Sequence, residues 1–163
     1  MLRSWPVELT PATTPVLAAA LILATMLAVA ALLNPSRQDF AWFLKQRRPA
    51  WLSFERLIPL IWITIYACFY GSALLSWRAS GSFALMGGYL GLLVLVQSYT
   101  LVMGRTRSLR NGTLVGLAGW VWGVALCIAV APLGTAAWLL LVPYLLWSPV
   151  GSLVTWQMQR LNR

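Results

Sequence analysis

Trp62, Tyr66 and Tyr70 recur at every fourth position and so put one indole and two phenols along one face of a helix. Rings spaced this way ordinarily pack against a neighbouring helix, but they can also stack on a flat ligand. Two further stripes favour the second use: Tyr89, Leu92, Val96, Tyr99 and Met103 share one face, and Tyr144, Trp147, Gly151 and Thr155 another. Trp147 falls near the middle of its apolar run, an uncommon depth for an indole, since tryptophans in membranes prefer the interface. Gly151, one turn later, leaves a hollow beside it. A hollow walled by aromatic rings suits a flat, largely apolar molecule. Before the first stripe, Trp42, Phe43 and Trp51 alternate with Lys45, Arg47, Arg48 and Arg56, the mixture of indole and cation that suits a lipid headgroup zone.

Other chemistries lack their residues. The chain has no histidine, which removes His-ligated zinc, His-ligated haem and every His-dependent triad. Its acids, Glu8, Asp39 and Glu55, all lie outside the apolar runs, so no buried carboxylate pair or intramembrane proton relay is available. Cys68 and Cys127 sit singly inside apolar runs and form no CxxC. The reading is therefore a binding protein rather than an enzyme, with no metal site.

The elements that must carry these stripes follow from composition. Of 163 residues, 60% are apolar and 9% charged, and the mean hydropathy is +0.77; this is a polytopic membrane protein. Five apolar runs are long enough to cross about 30 Å of hydrocarbon at about 1.5 Å per residue. The expected fold is an all-α, single-domain bundle of five transmembrane helices at about 15–34, 57–77, 82–103, 111–131 and 135–160, with a long loop over 35–56. Thr14 is a candidate cap for the first helix, with Pro15 opening it, and Asn111 for the fourth. Pro143 and Pro149 are expected to kink the fifth. Ala28-Val29-Ala30 resembles a signal-peptidase site, but the long apolar run and Glu8 favour a retained span.

The net charge of +9 would suit a nucleic-acid partner, but the cations fill the gaps between apolar runs, so membrane topology and anionic lipid account for them and no nucleic acid is expected. With the amino terminus on one side, that side holds Arg3 and Arg78, and the other holds the remaining ten of the 12 Lys and Arg. The long loop and the carboxyl terminus are thus expected in the cytoplasm. Small residues at four-residue spacing allow close helix approach. Gly87 and Gly91 of the third helix are read as a candidate homodimer interface, whereas Gly112, Gly116, Gly119 and Gly123 of the fourth are read as packing within the bundle.

Two motifs in order then point to a family. Trp42-Phe43, Arg48-Pro49-Ala50-Trp51 and Pro59-Leu60-Ile61-Trp62-Ile63-Thr64-Ile65-Tyr66 follow one another in the first loop and second helix, and Leu141-Val142-Pro143-Tyr144-Leu145-Leu146-Trp147 leads to Leu161-Asn162 in the fifth. The chain resembles the translocator protein family, the tryptophan-rich sensory proteins or TspO/MBR family, over nearly its whole length. The resemblance implies a five-helix bundle, often dimeric, with a pocket opening toward the first loop. Such pockets bind porphyrins and other tetrapyrroles, sterol-like lipids or synthetic benzodiazepine-site ligands. It places the pocket tryptophans on Trp62 and Trp147 and the loop tryptophans on Trp42 and Trp51. A polar Gln and Asn of the family's third helix are replaced here by Leu92 and Val96, a loop tyrosine by Phe43, and a double proline by Ser53-Phe54, so the pocket is expected to discriminate less among polar substituents.

Taken together, the ligand-binding candidates are Trp42, Phe43, Trp51, Trp62, Tyr66, Leu92, Val96, Tyr99, Tyr144, Trp147 and Gly151. The function expected is binding of a flat hydrophobic ligand, a porphyrin-like tetrapyrrole or a sterol- or isoprenoid-like lipid, by a receptor, carrier or sensor in the membrane. No obligatory cofactor is implied; the bound species would be the tetrapyrrole or lipid itself. The alternatives are a small accessory subunit of a larger membrane complex and a porphyrin-degrading enzyme with Trp62 and Trp147 as its reactive indoles.

Overall fold

A computed structural model describes residues 13–163, so Arg3 and Glu8 lie outside the described residues. The fold is all-α and carries five helical stretches long and apolar enough to span a membrane. In chain order the helices are α1 (Thr13–Leu32), α2 (Arg37–Leu44), α3 (Ile58–Ser80), α4 (Phe83–Thr106), α5 (Leu109–Val130), α6 (Thr135–Leu139) and α7 (Val142–Leu161). The first span begins before the expected cap, so Thr14 falls inside α1.

The expected loop over 35–56 contains a helix of its own. Ser36 caps α2 by accepting from the Asp39 amide and also donates to the Asp39 carboxylate at 2.7 Å. Asp39 in turn packs on α4, where a Cβ on Gly104 would stand 2.7 Å from its own Cβ, and pairs with Arg107 at 3.7 Å. Serines also cap the third and fourth spans. The Ser82 hydroxyl accepts from Leu85 and that of Ser108 from Asn111, so the fourth span starts at Leu109 and Asn111 is the donor rather than the cap. Gly81, at φ +58°, makes the left-handed turn that folds α3 back into α4.

The fifth span breaks instead of kinking. Pro143 has no N–H, and its ring would collide with the carbonyl of Leu139, so α6 stops at Leu139 and α7 restarts at Val142. At the break the Leu141 amide turns to Trp138 (3.0 Å), and the carbonyl of Ala137 accepts from the Ser72 hydroxyl of α3 at 2.6 Å. Pro149 frees a second carbonyl, that of Leu145, which accepts from the Trp120 indole of α5 at 3.1 Å. In lipid no water is present to do this, so a side chain from a neighbouring helix must.

The glycine row of α5 is consumed inside the bundle. A Cβ on Gly112 would meet Met103, on Gly116 Ser152, on Gly119 the hydroxyl of Tyr144 and on Gly123 its ring, all within 2.8 Å. Thus α5 lies backbone-close to both α4 and α7. The pair Gly87 and Gly91 is split. Gly91 is covered by Trp122 of the same chain, 3.0 Å from where a Cβ would stand, and the Trp122 indole donates to Gly88 at 2.9 Å. Gly87 alone faces open space. Buried side chains gather in two clusters. The larger is built on Phe69, Tyr89, Leu92, Leu141 and Tyr144, and the smaller, on Met103, Leu109 and Met158, lies beneath α2.

Candidate functional site

Between these clusters the bundle holds a half-open cavity of about 750 Å³. Its walls come from the first halves of α3 and α5, the second half of α4, most of α7 from Tyr144 to Met158, and the first loop with α2. Trp62 and Tyr66 form one wall as a stacked pair, with centroids 5.7 Å apart and planes 29° from parallel. Trp147 stands on α7, and the loop residue Phe54 meets it edge to face at 6.3 Å. A Cβ on Gly151 would touch nothing within 4 Å, so that position opens directly into the space.

Of the residues singled out by spacing and resemblance, Phe43, Trp62, Tyr66, Val96, Tyr99, Tyr144, Trp147 and Gly151 line the cavity. Trp42, Trp51 and Leu92 do not. Trp42 packs on the smaller cluster beneath the Arg107 guanidinium, 5.6 Å from its ring. Trp51 is 40% exposed and donates its indole N–H to Gln157 of α7 at 2.5 Å. Leu92 is fully buried in the larger cluster. Tyr70 leaves its stripe, with its hydroxyl on the Ala19 carbonyl of α1 at 3.2 Å.

Several lining residues carry no signal in the aromatic stripes. Arg48 and Glu55 pair at 2.5 Å at the mouth, and Arg48 also donates to the carbonyls of Leu44 and Gln46 while lying 5.3 Å from the Phe43 ring centroid. One guanidinium therefore ties the loop to itself. Deeper in, Gln97, Ser148 and Ser152, together with Thr155 from the third stripe, bring polar groups that partly offset the replacements at Leu92 and Val96. Ser148 and Ser152 stand four and eight residues after Tyr144, a pattern visible in the sequence once the helix is known. The Tyr99 hydroxyl bonds Thr155 at 3.1 Å and lies 3.3 Å from the Gly151 carbonyl, and Thr113 reaches Thr155 at 3.2 Å, fastening α4, α5 and α7 together on one side of the cavity.

The loop that covers the mouth is held by α7. Asn162 accepts from the Arg47 amide at 2.9 Å and donates to the Arg47 carbonyl at 3.0 Å, copying the two hydrogen bonds of a strand pair. No group of three or more His, Cys, Asp or Glu side chains that could hold a metal occurs among the described residues.

A five-span bundle with a Trp-walled cavity under its first loop is what the motifs imply, and the family model of the TspO/MBR family matches residues 12–161. The chain belongs to the TspO/MBR family. Among named members, it is 26% identical to the tryptophan-rich sensory protein of Cereibacter sphaeroides over 132 residues, covering 81% of each chain. It is also 26% identical to protein CrtK of Rhodobacter capsulatus over 129 residues, 75% of this chain and 79% of that one. This TspO/MBR protein is thus an integral, multi-pass membrane protein with a five-helix bundle.

Proposed function

We propose that the protein binds a flat, largely apolar ligand, tetrapyrrole or sterol- or isoprenoid-like lipid, within the bundle, and acts as a receptor, carrier or sensor for it. The observation that carries this is the cavity of about 750 Å³ walled by the Trp62–Tyr66 stack and Trp147. That volume lies within the range of roughly 300–1,000 Å³ typical of small-molecule sites. The sensory name borne by the Cereibacter sphaeroides relative supports a signalling use. The reading includes a cytoplasmic first loop and carboxyl terminus, supported by the cation count, and a homodimer, supported by family resemblance.

The test is titration of intrinsic Trp fluorescence with a porphyrin in nanodiscs. Saturable quenching in the parent chain, lost in Gly151→Phe, is the expected result. Equal quenching in both would mean that the cavity is not where the porphyrin binds and would favour an accessory-subunit role for the aromatic stripes.

A further inference from the structure

The inner wall of the cavity holds hydroxyls that the protein leaves short of partners. Tyr144, Ser148 and Ser152 follow one another at four-residue spacing on α7 and all line the cavity. Ser152 is 5% exposed, and its Oγ is the one buried side-chain polar atom among the described residues without a hydrogen-bond partner. Its close neighbour is Gly116 of α5, where a Cβ would stand 2.5 Å away and where the Cα offers no acceptor. Ser148, 7% exposed, has only long contacts, 3.3 Å to the Gly116 carbonyl and 3.5 Å to the Tyr144 hydroxyl, and Tyr144 has no shorter partner among the described residues. Polar groups so placed inside a membrane are costly unless a partner reaches them.

We propose that this wall is a hydrogen-bonding subsite for a single neutral oxygen function, a hydroxyl or carbonyl, on an otherwise apolar ligand. The proposal rests on the reading that the cavity takes a flat apolar molecule, and it adds which end enters first. Charge sets the choice of a neutral group. The cavity's charged lining residues, Arg37, Arg48 and Glu55, belong to the first loop at the mouth, and Arg48 is already committed to Glu55. A carboxylate carried to the Ser148 level would lose its water without meeting a cation. A hydroxyl or carbonyl loses far less and supplies the partner that the Ser152 hydroxyl lacks and that Ser148 and Tyr144 have only at long range.

The test uses the full chain in nanodiscs and three probes on one ring system: 1-methylpyrene, 1-pyrenemethanol and 1-pyrenecarboxylate. Binding is read by energy transfer from tryptophan to pyrene, corrected for partition into empty nanodiscs. The alcohol is expected to bind about tenfold tighter than the methyl compound, one net hydrogen bond's worth, and tighter than the carboxylate. Ser148→Ala and Tyr144→Phe should each bring the alcohol toward the methyl compound while leaving the latter within about twofold. Equal binding of alcohol and methyl probes would mean that water already serves these hydroxyls and would overturn the subsite while sparing the flat-ligand reading. Tightest binding by the carboxylate, or an alcohol preference that survives both substitutions, would likewise overturn it. Binding by none of the three would remove the flat-ligand reading and the subsite with it.

Discussion

Gly151 shows how much one residue's missing side chain can shape a site. Its Cα faces empty space beside Trp147, so Gly151→Phe should fill the cavity and abolish porphyrin quenching while circular dichroism and membrane insertion stay as in the parent. Trp147→Phe keeps a ring at the same place and should weaken binding by about 1 kcal/mol, the scale of one aromatic pair. Much of this wall was legible from spacing, because a helix repeats every 3.6 residues and aromatic side chains four apart stay near one another. The same geometry explains where the reading drifted. Each four-residue step advances the face by about 40°, so by Tyr70 the stripe that starts at Trp62 has turned by about 80° and meets α1. Leu92 shares the face of Val96 but lies a turn deeper, where the bundle has closed on itself. Trp42 and Trp51 could be placed near the mouth by sequence, but only the fold shows that one packs under Arg107 and the other bonds to Gln157.

At the scale of elements, the prolines of the fifth span told where that helix would be disturbed, but the partners of the freed carbonyls come from other helices and had no signature of their own. Trp120 is the case that can be measured. Trp120→Phe leaves the Leu145 carbonyl unpaired and should destabilise the protein by about 1–3 kcal/mol in detergent unfolding. In Pro149→Ala the restored amide can serve that carbonyl, and adding Trp120→Phe to it should cost clearly less; equal costs would show that the indole acts only through packing. The glycines of α4 make a second contrast. Gly91→Ile drives into the Trp122 ring and should lower stability by about 1–3 kcal/mol, whereas Gly87→Ile should leave the fold intact and reduce crosslinked dimer. Dimer yields unaltered by Gly87→Ile would move the interface off this face. Spacing alone treated the two glycines as a pair, since it cannot see the indole that reaches across from α5.

For the whole molecule, the cation asymmetry predicts that a reporter joined after Arg163 is cytoplasmic and one joined before Met1 is not; the reverse labelling would invert the assignment of the mouth. The five-span plan was readable because hydropathy and span length are properties of the chain itself, while the small helix over Arg37–Leu44 was hidden in a segment whose charges resemble an ordinary loop. The hold of α7 on that loop was hidden for another reason: Asn162 and Arg47 stand 115 residues apart. Asn162→Ala should speed deuterium exchange at the Arg47 amide by about tenfold or more while α3 to α5 keep theirs; unchanged exchange would show that Trp51 and Gln157 suffice to hold the loop. This contact also sets an order of events during biosynthesis. The residue that fastens the loop at Arg47 follows the fifth span, so while the ribosome is still feeding the earlier helices into the bilayer the loop is tied only through α2 to α4. Until Asn162 is made, the Arg47 backbone lacks both of its partners, so the rim of the cavity is completed by residues synthesised after all five spans.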